Sequence, residues 1–151
     1  MKILGIIVFL VLMLIAAIHV YWAFGGLWPM ATELDLINMV IGAPDMTKMP
    51  APSATLGVAL LIFIAALVAL AVSGALTIAP RWLAQIAAAD AGLVFLGRGV
   101  AGYFFEQIAW APVEPFATMN RWYYSPLCLV IGAAFFLFLF LLKNSNRDIQ
   151  P

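Results

Sequence analysis

Four long apolar blocks, set apart by short polar or irregular stretches, dominate the chain. The first runs from Ile3 to Phe24 and is interrupted only by His19. The second, from Leu56 to Ala79, holds no charge, and Pro80 stops it. The third, Leu83 to Phe105, carries Asp90 and Arg98, and the fourth runs from Pro126 to Leu142. A bilayer core about 30 Å thick takes roughly 20 apolar residues in helical form. The pattern therefore predicts an all-α integral membrane protein: a single domain over 1–151 with spans at 3–24, 56–79, 83–105 and 126–142, forming a four-transmembrane-helix bundle. The fourth block lies near the lower limit of about 17 residues, so its helix is expected to start a turn earlier, among the tyrosines. The first block outruns the apolar core of a signal peptide and ends in His19-Val20-Tyr21-Trp22 without a small-x-small site, so it is expected to persist as a helix.

The connections are uneven. The stretch from Gly25 to Thr55 opens with Gly-Gly-Leu-Trp-Pro, and Thr32 then reads as the N-cap of a short amphipathic helix with Leu34, Ile37 and Ile41 on one face. Gly42 and Pro44 end it, and it is expected to lie in the membrane interface. The stretch from Glu106 to Ser125 places Trp110, Phe116, Trp122, Tyr123 and Tyr124 among prolines, rings that suit the headgroup boundary. By contrast the connection at Pro80 and Arg81 is tight. An N-in, C-in orientation puts Lys2, Arg81, Lys143 and Arg147 inside against Lys48 and Arg121 outside, which is the arrangement favoured by the positive-inside bias. Both irregular connections then face outward.

Composition narrows the function classes. The chain is 66% hydrophobic and 9% charged, with seven basic and seven acidic residues. No basic field for nucleic acid exists. One cysteine and one histidine exclude an internal disulfide, a thiol pair and multi-histidine metal or haem ligation. Met30, Met39, Met46, Met49 and Met119 all fall in the outer connections, where interfacial packing accounts for them. No metal site and no cofactor are expected.

Ionisable groups within a bilayer are costly and normally face the bundle or a cavity. Asp90 lies at nearly the depth of Ser73 on the preceding span, so an antiparallel hairpin predicts a structural Ser73–Asp90 hydrogen bond. Arg98 lies about 10 Å in helical rise below the outer end of its span and, always protonated, needs acceptors or an anionic ligand. His19 lies at a similar depth, with Trp22 following on the same face. His19 and Arg98 are thus expected to line one polar cavity open to the outer leaflet, with Tyr21, Trp22, Tyr103, Asn120 and Tyr124 as further candidates. His19 would be its acid/base group and Arg98 its anion anchor. Ala65, Ala69 and Ser73 form a small-xxx-small stripe suited to close helix packing.

The run His19-Val-Tyr-Trp-Ala-Phe-Gly-Gly26 with Trp28-Pro29, the Arg98…Gly102 pair, and Phe116-Ala117…Asn120…Tyr124-Ser-Pro-Leu-Cys128 resemble the motifs of a family of small bacterial membrane proteins of unknown function. The resemblance covers most of the chain, with the second span and both termini least marked. It implies four spans and the bacterial cytoplasmic membrane, and it implies no activity. That family often carries an acid where Asn120 stands; the amide here departs from it and leaves no charge pair with Arg98. Three functions are weighed. An accessory or interaction subunit of a membrane assembly, with other subunits or further copies as partners beside membrane lipids, comes first on small size and the small-residue stripe. A lipid- or small-amphiphile-binding protein or enzyme with an outer-leaflet pocket around His19 and Arg98 comes second. A small transporter using Asp90 comes last, for want of inverted-repeat symmetry.

Overall fold

The computed structural model describes residues 1–147. Among them every regular element is helical: α1 (Lys2–Ala23), α2 (Glu33–Val40), α3 (Pro52–Ser73), α4 (Arg81–Ala101), α5 (Phe105–Ile108), α6 (Phe116–Met119), a π-helical turn (Asn120–Tyr124) and α7 (Ser125–Arg147). Four helical stretches are long and apolar enough to cross a membrane: α1, α3, α4 and the run Phe116–Asn144.

Backbone chemistry, not hydropathy, sets where these helices end. α3 occupies Pro52–Ser73, displaced towards the N-terminus from the apolar block 56–79. Pro52 sits in the first turn, where its missing N–H costs nothing. At the far end Gly74 adopts φ 76° and its N–H reaches Ala71 O, while the Ala75 N–H reaches Leu70 O. This left-handed cap closes the helix, so the apolar residues 74–79 form the connection to α4. α4 starts directly after Pro80 and gives way at Gly102, short of Phe105. α7 starts at Ser125, and helical backbone continues above it through the tyrosines.

Thr32 caps α2: its hydroxyl accepts the Asp35 N–H at 3.2 Å and donates to the Asp35 carboxylate at 2.6 Å. The face it buries differs from the expected one. Leu36 and Ile37 are fully enclosed while Leu34 is exposed, because the helix docks on the segment around α6. Gly42 lies against the Phe116 ring, its carbonyl accepts from Trp110 Nε1 at 3.1 Å, and Tyr124 Oη donates to Met39 O at 3.2 Å.

The long helices run alternately up and down as two tight pairs. In the first, α1 lies along α3, with Gly5 closed against the Ser73 side chain; Ala65, Ala69 and Ser73 are all buried there. In the second, α4 lies along α7 so closely that a Cβ on Gly132 would stand 2.9 Å from Leu96 N, and one on Gly99 3.0 Å from Leu129 N. The shared core joins Leu12, Ala66, Ala69, Phe135, Phe138 and Leu142, among others. It fills the half of the bundle nearest the short α3–α4 connection. In the opposite half the pairs separate, and α2 roofs the gap.

A roofed cavity between two helix pairs

One face of α4 carries Ala87, Asp90, Ala91, Val94, Phe95 and Arg98, spaced as helical neighbours. That face lines a cavity of about 720 Å³. Ile15, Ile18, His19 and Trp22 of α1, residues 58–68 of α3, Val40 of α2, and Tyr124, Leu127, Cys128 and Ile131 complete the wall. Most of this surface is aliphatic, and the polar groups other than Asp90 gather under the roof. The most exposed lining residues, Leu61 at 68% and Val94 at 62%, lie on α3 and α4, so the cavity opens between those helices. A smaller cavity of about 260 Å³, lined also by Met49, Pro50 and Thr55, adjoins it and shares His19, Trp22, Val40 and Val58.

Arg98 is held from behind. Its Nη2 donates to Asn120 Oδ1 at 2.9 Å, Asn120 Nδ2 donates to Gly102 O at 2.6 Å, and Ser125 Oγ donates to Asn120 Oδ1 at 3.2 Å. Those partners fix which way the Asn120 amide points, since a guanidinium only donates and a carbonyl only accepts. Asn120 is 3% exposed and Ser125 is fully buried, so the bonds are made out of reach of competing solvent. Gly102 is required by crowding: a Cβ there would meet Ser125 Oγ and stand 2.7 Å from Arg98 Nη1.

The π turn makes this knot possible. In a regular α-helix of 3.6 residues per turn, side chains five apart diverge by about 140°. Across Asn120–Tyr124 the Ser125 N–H bonds instead to Asn120 O, and the wider turn brings Asn120 and Ser125 onto one side. Such single π turns are rare and recur at functional sites.

On the facing helix, His19 Nδ1 lies 2.8 Å from Ile15 O. The carbonyl can only accept, so Nδ1 carries the proton, and in the neutral ring Nε2 is left as an acceptor. The ring stands 5.2 Å from that of Trp22, tilted by 56°, and Trp22 Nε1 donates to Trp28 O at 2.8 Å, which ties the α1–α2 connection to the cavity wall.

Of the residues expected around one pocket, His19, Trp22, Arg98 and Tyr124 line this cavity. Asn120 lies behind it as the acceptor for Arg98. Tyr21 and Tyr103 stand outside, 48% and 47% exposed; the Tyr21 ring packs on Gly26 and its hydroxyl accepts the Trp28 N–H at 3.5 Å. The expected Ser73–Asp90 bond is not made among the described residues. Ser73 Oγ donates within its own helix to Leu70 O at 3.1 Å and faces Gly5, because α3 ends six residues before the block that set the register. Asp90 faces the cavity instead. Asp90 and Cys128 are the cavity groups that sequence reasoning did not place there, although the spacings Asp90–Arg98 and Tyr124–Cys128 both mark a shared helix face.

No curated protein and no solved structure matches the chain. A family model does match, over residues 12–135, a stretch that takes in every residue of the cavity wall. The chain belongs to the family described as protein of unknown function (DUF3995).

Proposed function

We propose that this is a four-span integral membrane protein that holds an anionic amphiphile, a lipid or fatty-acid-like molecule, between its two helix pairs. The observation that carries the reading is the cavity of about 720 Å³, aliphatic along its length and ending at Arg98. Its size suits a small-molecule site, for which roughly 300–1,000 Å³ is usual. Arg98 is the anchor for the anionic head, oriented by Asn120, and His19 Nε2 accepts a hydrogen bond from a protonated head or a hydroxyl. A side opening between α3 and α4 lets an apolar tail pass from the bilayer without crossing water. Lys2, Arg81 and Lys143 at the base, against Lys48 and Arg121 near the roof, support an N-in, C-in orientation in the bacterial cytoplasmic membrane. The roof then lies at the outer leaflet, with α2 and the aromatic connection at the interface.

An accessory role drew on the small-residue stripe of α3. Ala65, Ala69 and Ser73 are buried against their own chain, which leaves that stripe unavailable to a partner and the binding reading ahead.

Mass spectrometry of the protein purified in mild detergent tests the reading. The wild type is expected to carry an anionic amphiphile in near-stoichiometric amount, and His19→Ala and Arg98→Gln to lose most of it while staying monodisperse. Stoichiometric recovery of another membrane protein, with no amphiphile carried or taken up, overturns the reading in favour of an assembly role.

A further inference from the structure

The bound amphiphile has, by the reading above, one end at Arg98; the same wall of the cavity carries a second, unlike charge. Asp90 sits eight residues before Arg98 on α4, about 12 Å away along the axis at 1.5 Å per residue. Both side chains line the cavity, and the wall between them is apolar, formed by Ala91, Val94 and Phe95. Since α4 runs from Arg81 to Ala101, Asp90 falls at its midpoint, the depth at which a carboxylate is least tolerated in a bilayer and marks a functional group by default. No hydrogen bond or ion pair to the Asp90 side chain is made among the described residues. Ser73, the hydroxyl expected to meet it, lies instead at the end of α3 and donates to Leu70 O. The charges and donors of the protein that do face the cavity, His19, Arg98, Tyr124 and Cys128, cluster at the roofed end.

We infer that the cavity selects a two-ended amphiphile: an anionic head at Arg98, and an amine or hydroxyl donor about 12 Å down an apolar chain, where Asp90 receives it. The inference rests on the binding reading and adds to it the second polar group of the ligand. Asp90 is then a specificity-determining residue. A simple fatty acid fills the roofed end and leaves the carboxylate facing hydrocarbon; a chain with a distal donor satisfies both ends.

Two probes separate the inference from the reading beneath it. Full-length protein in nanodiscs of uncharged phosphatidylcholine is titrated calorimetrically with decanoate and with ω-aminodecanoate. Decanoate is expected to bind the wild type, to be lost in Arg98→Gln, and to bind Asp90→Asn within about twofold of wild type, because its tail carries no donor for position 90. The ω-amino chain is expected to bind the wild type about 10–100-fold more tightly than decanoate, the range for a hydrogen bond to a charged group. That preference is expected to vanish in Asp90→Asn and in Asp90→Leu. If decanoate binds through Arg98 but the amine brings no preference, or the preference survives both substitutions, the inference is overturned and the binding reading stands. If neither probe binds, both fall. A shift of Asp90→Leu from dimer to monomer without change in either affinity also overturns it, since Asp90 would then serve a second copy of the chain.

Discussion

Replacing Asn120 by Ala is the most direct test of how Arg98 is held. The substitution removes three hydrogen bonds at once: the Arg98 contact at 2.9 Å, the Gly102 contact at 2.6 Å and the Ser125 contact at 3.2 Å. Interhelical bonds between neutral groups in membrane proteins contribute about 0.6–2 kcal/mol each, and one to a charged group about 1.5–3 kcal/mol. The Gly102 and Ser125 groups are left buried with a partner missing, so little of this is recovered from solvent. The expected loss is about 3–5 kcal/mol, which at about 2–4 °C per kcal/mol for a chain of this size lowers the midpoint of thermal unfolding by about 10 °C. Intrinsic tryptophan fluorescence on heating in detergent reads it directly. Asn120→Asp is the informative partner. It keeps an oxygen facing the guanidinium and the Ser125 hydroxyl and turns the first contact into a charge pair, at the expense of the donor to Gly102, so its midpoint should fall between Ala and wild type. An Ala variant within about 2 °C of wild type, or an Asp variant less stable than Ala, would refute the claim that this amide organises the site.

Other expectations follow from packing and topology. Gly132→Ala drives a methyl towards Leu96 and its backbone and should cost about 1–3 kcal/mol, whereas Gly57→Ala, with nothing within 4 Å, should gain about 0.5–1 kcal/mol from helix propensity; the same melting experiment decides both, and equal responses would contradict the helix pairing. Val94→Trp places an indole at the cavity opening and should cut decanoate uptake at least about tenfold with melting unchanged, a figure equal to about 1.4 kcal/mol; undiminished uptake would move the site elsewhere. In a Cys128→Ser background, Lys48→Cys should react with an impermeant maleimide on intact cells and Lys143→Cys only after permeabilisation, and the opposite pattern would invert the proposed orientation. Thr32→Ala should loosen α2 by about 1 kcal/mol, the typical value of an N-cap, seen as faster amide exchange at Asp35.

What the sequence made legible and what it did not divides along physical lines. The helical class and the four apolar stretches were legible because burial in an apolar medium demands length and composition, and both are printed in the residues. Helix ends were not, since a left-handed Gly74 after Ser73 leaves no trace in hydropathy while Ala75, Leu76 and Ile78 keep the apolar run going. That error in register produced the misplaced Ser73–Asp90 pairing. The convergence of His19 and Arg98 on one cavity could be read from depth alone, because both sit a similar rise below the same end of two helices that run in the same direction. Tyr21 and Tyr103 could not be sorted that way: depth gives height in the bundle but not the side of the helix that faces inward. The way Asn120 holds Arg98 could not be read from periodicity, for it depends on a turn wider than the one used to read helices; only the family resemblance set the two positions beside each other.

That wider turn has a mechanical consequence. Tyr124, its last residue, is bonded upward to Met39 at the end of α2, and Asn120, its first, is bonded sideways to Arg98. Five consecutive residues therefore join lid to anchor with no flexible segment between. A molecule that lifts α2 on its way in, or a partner that presses α2 down, must strain the same short lever that aims the guanidinium.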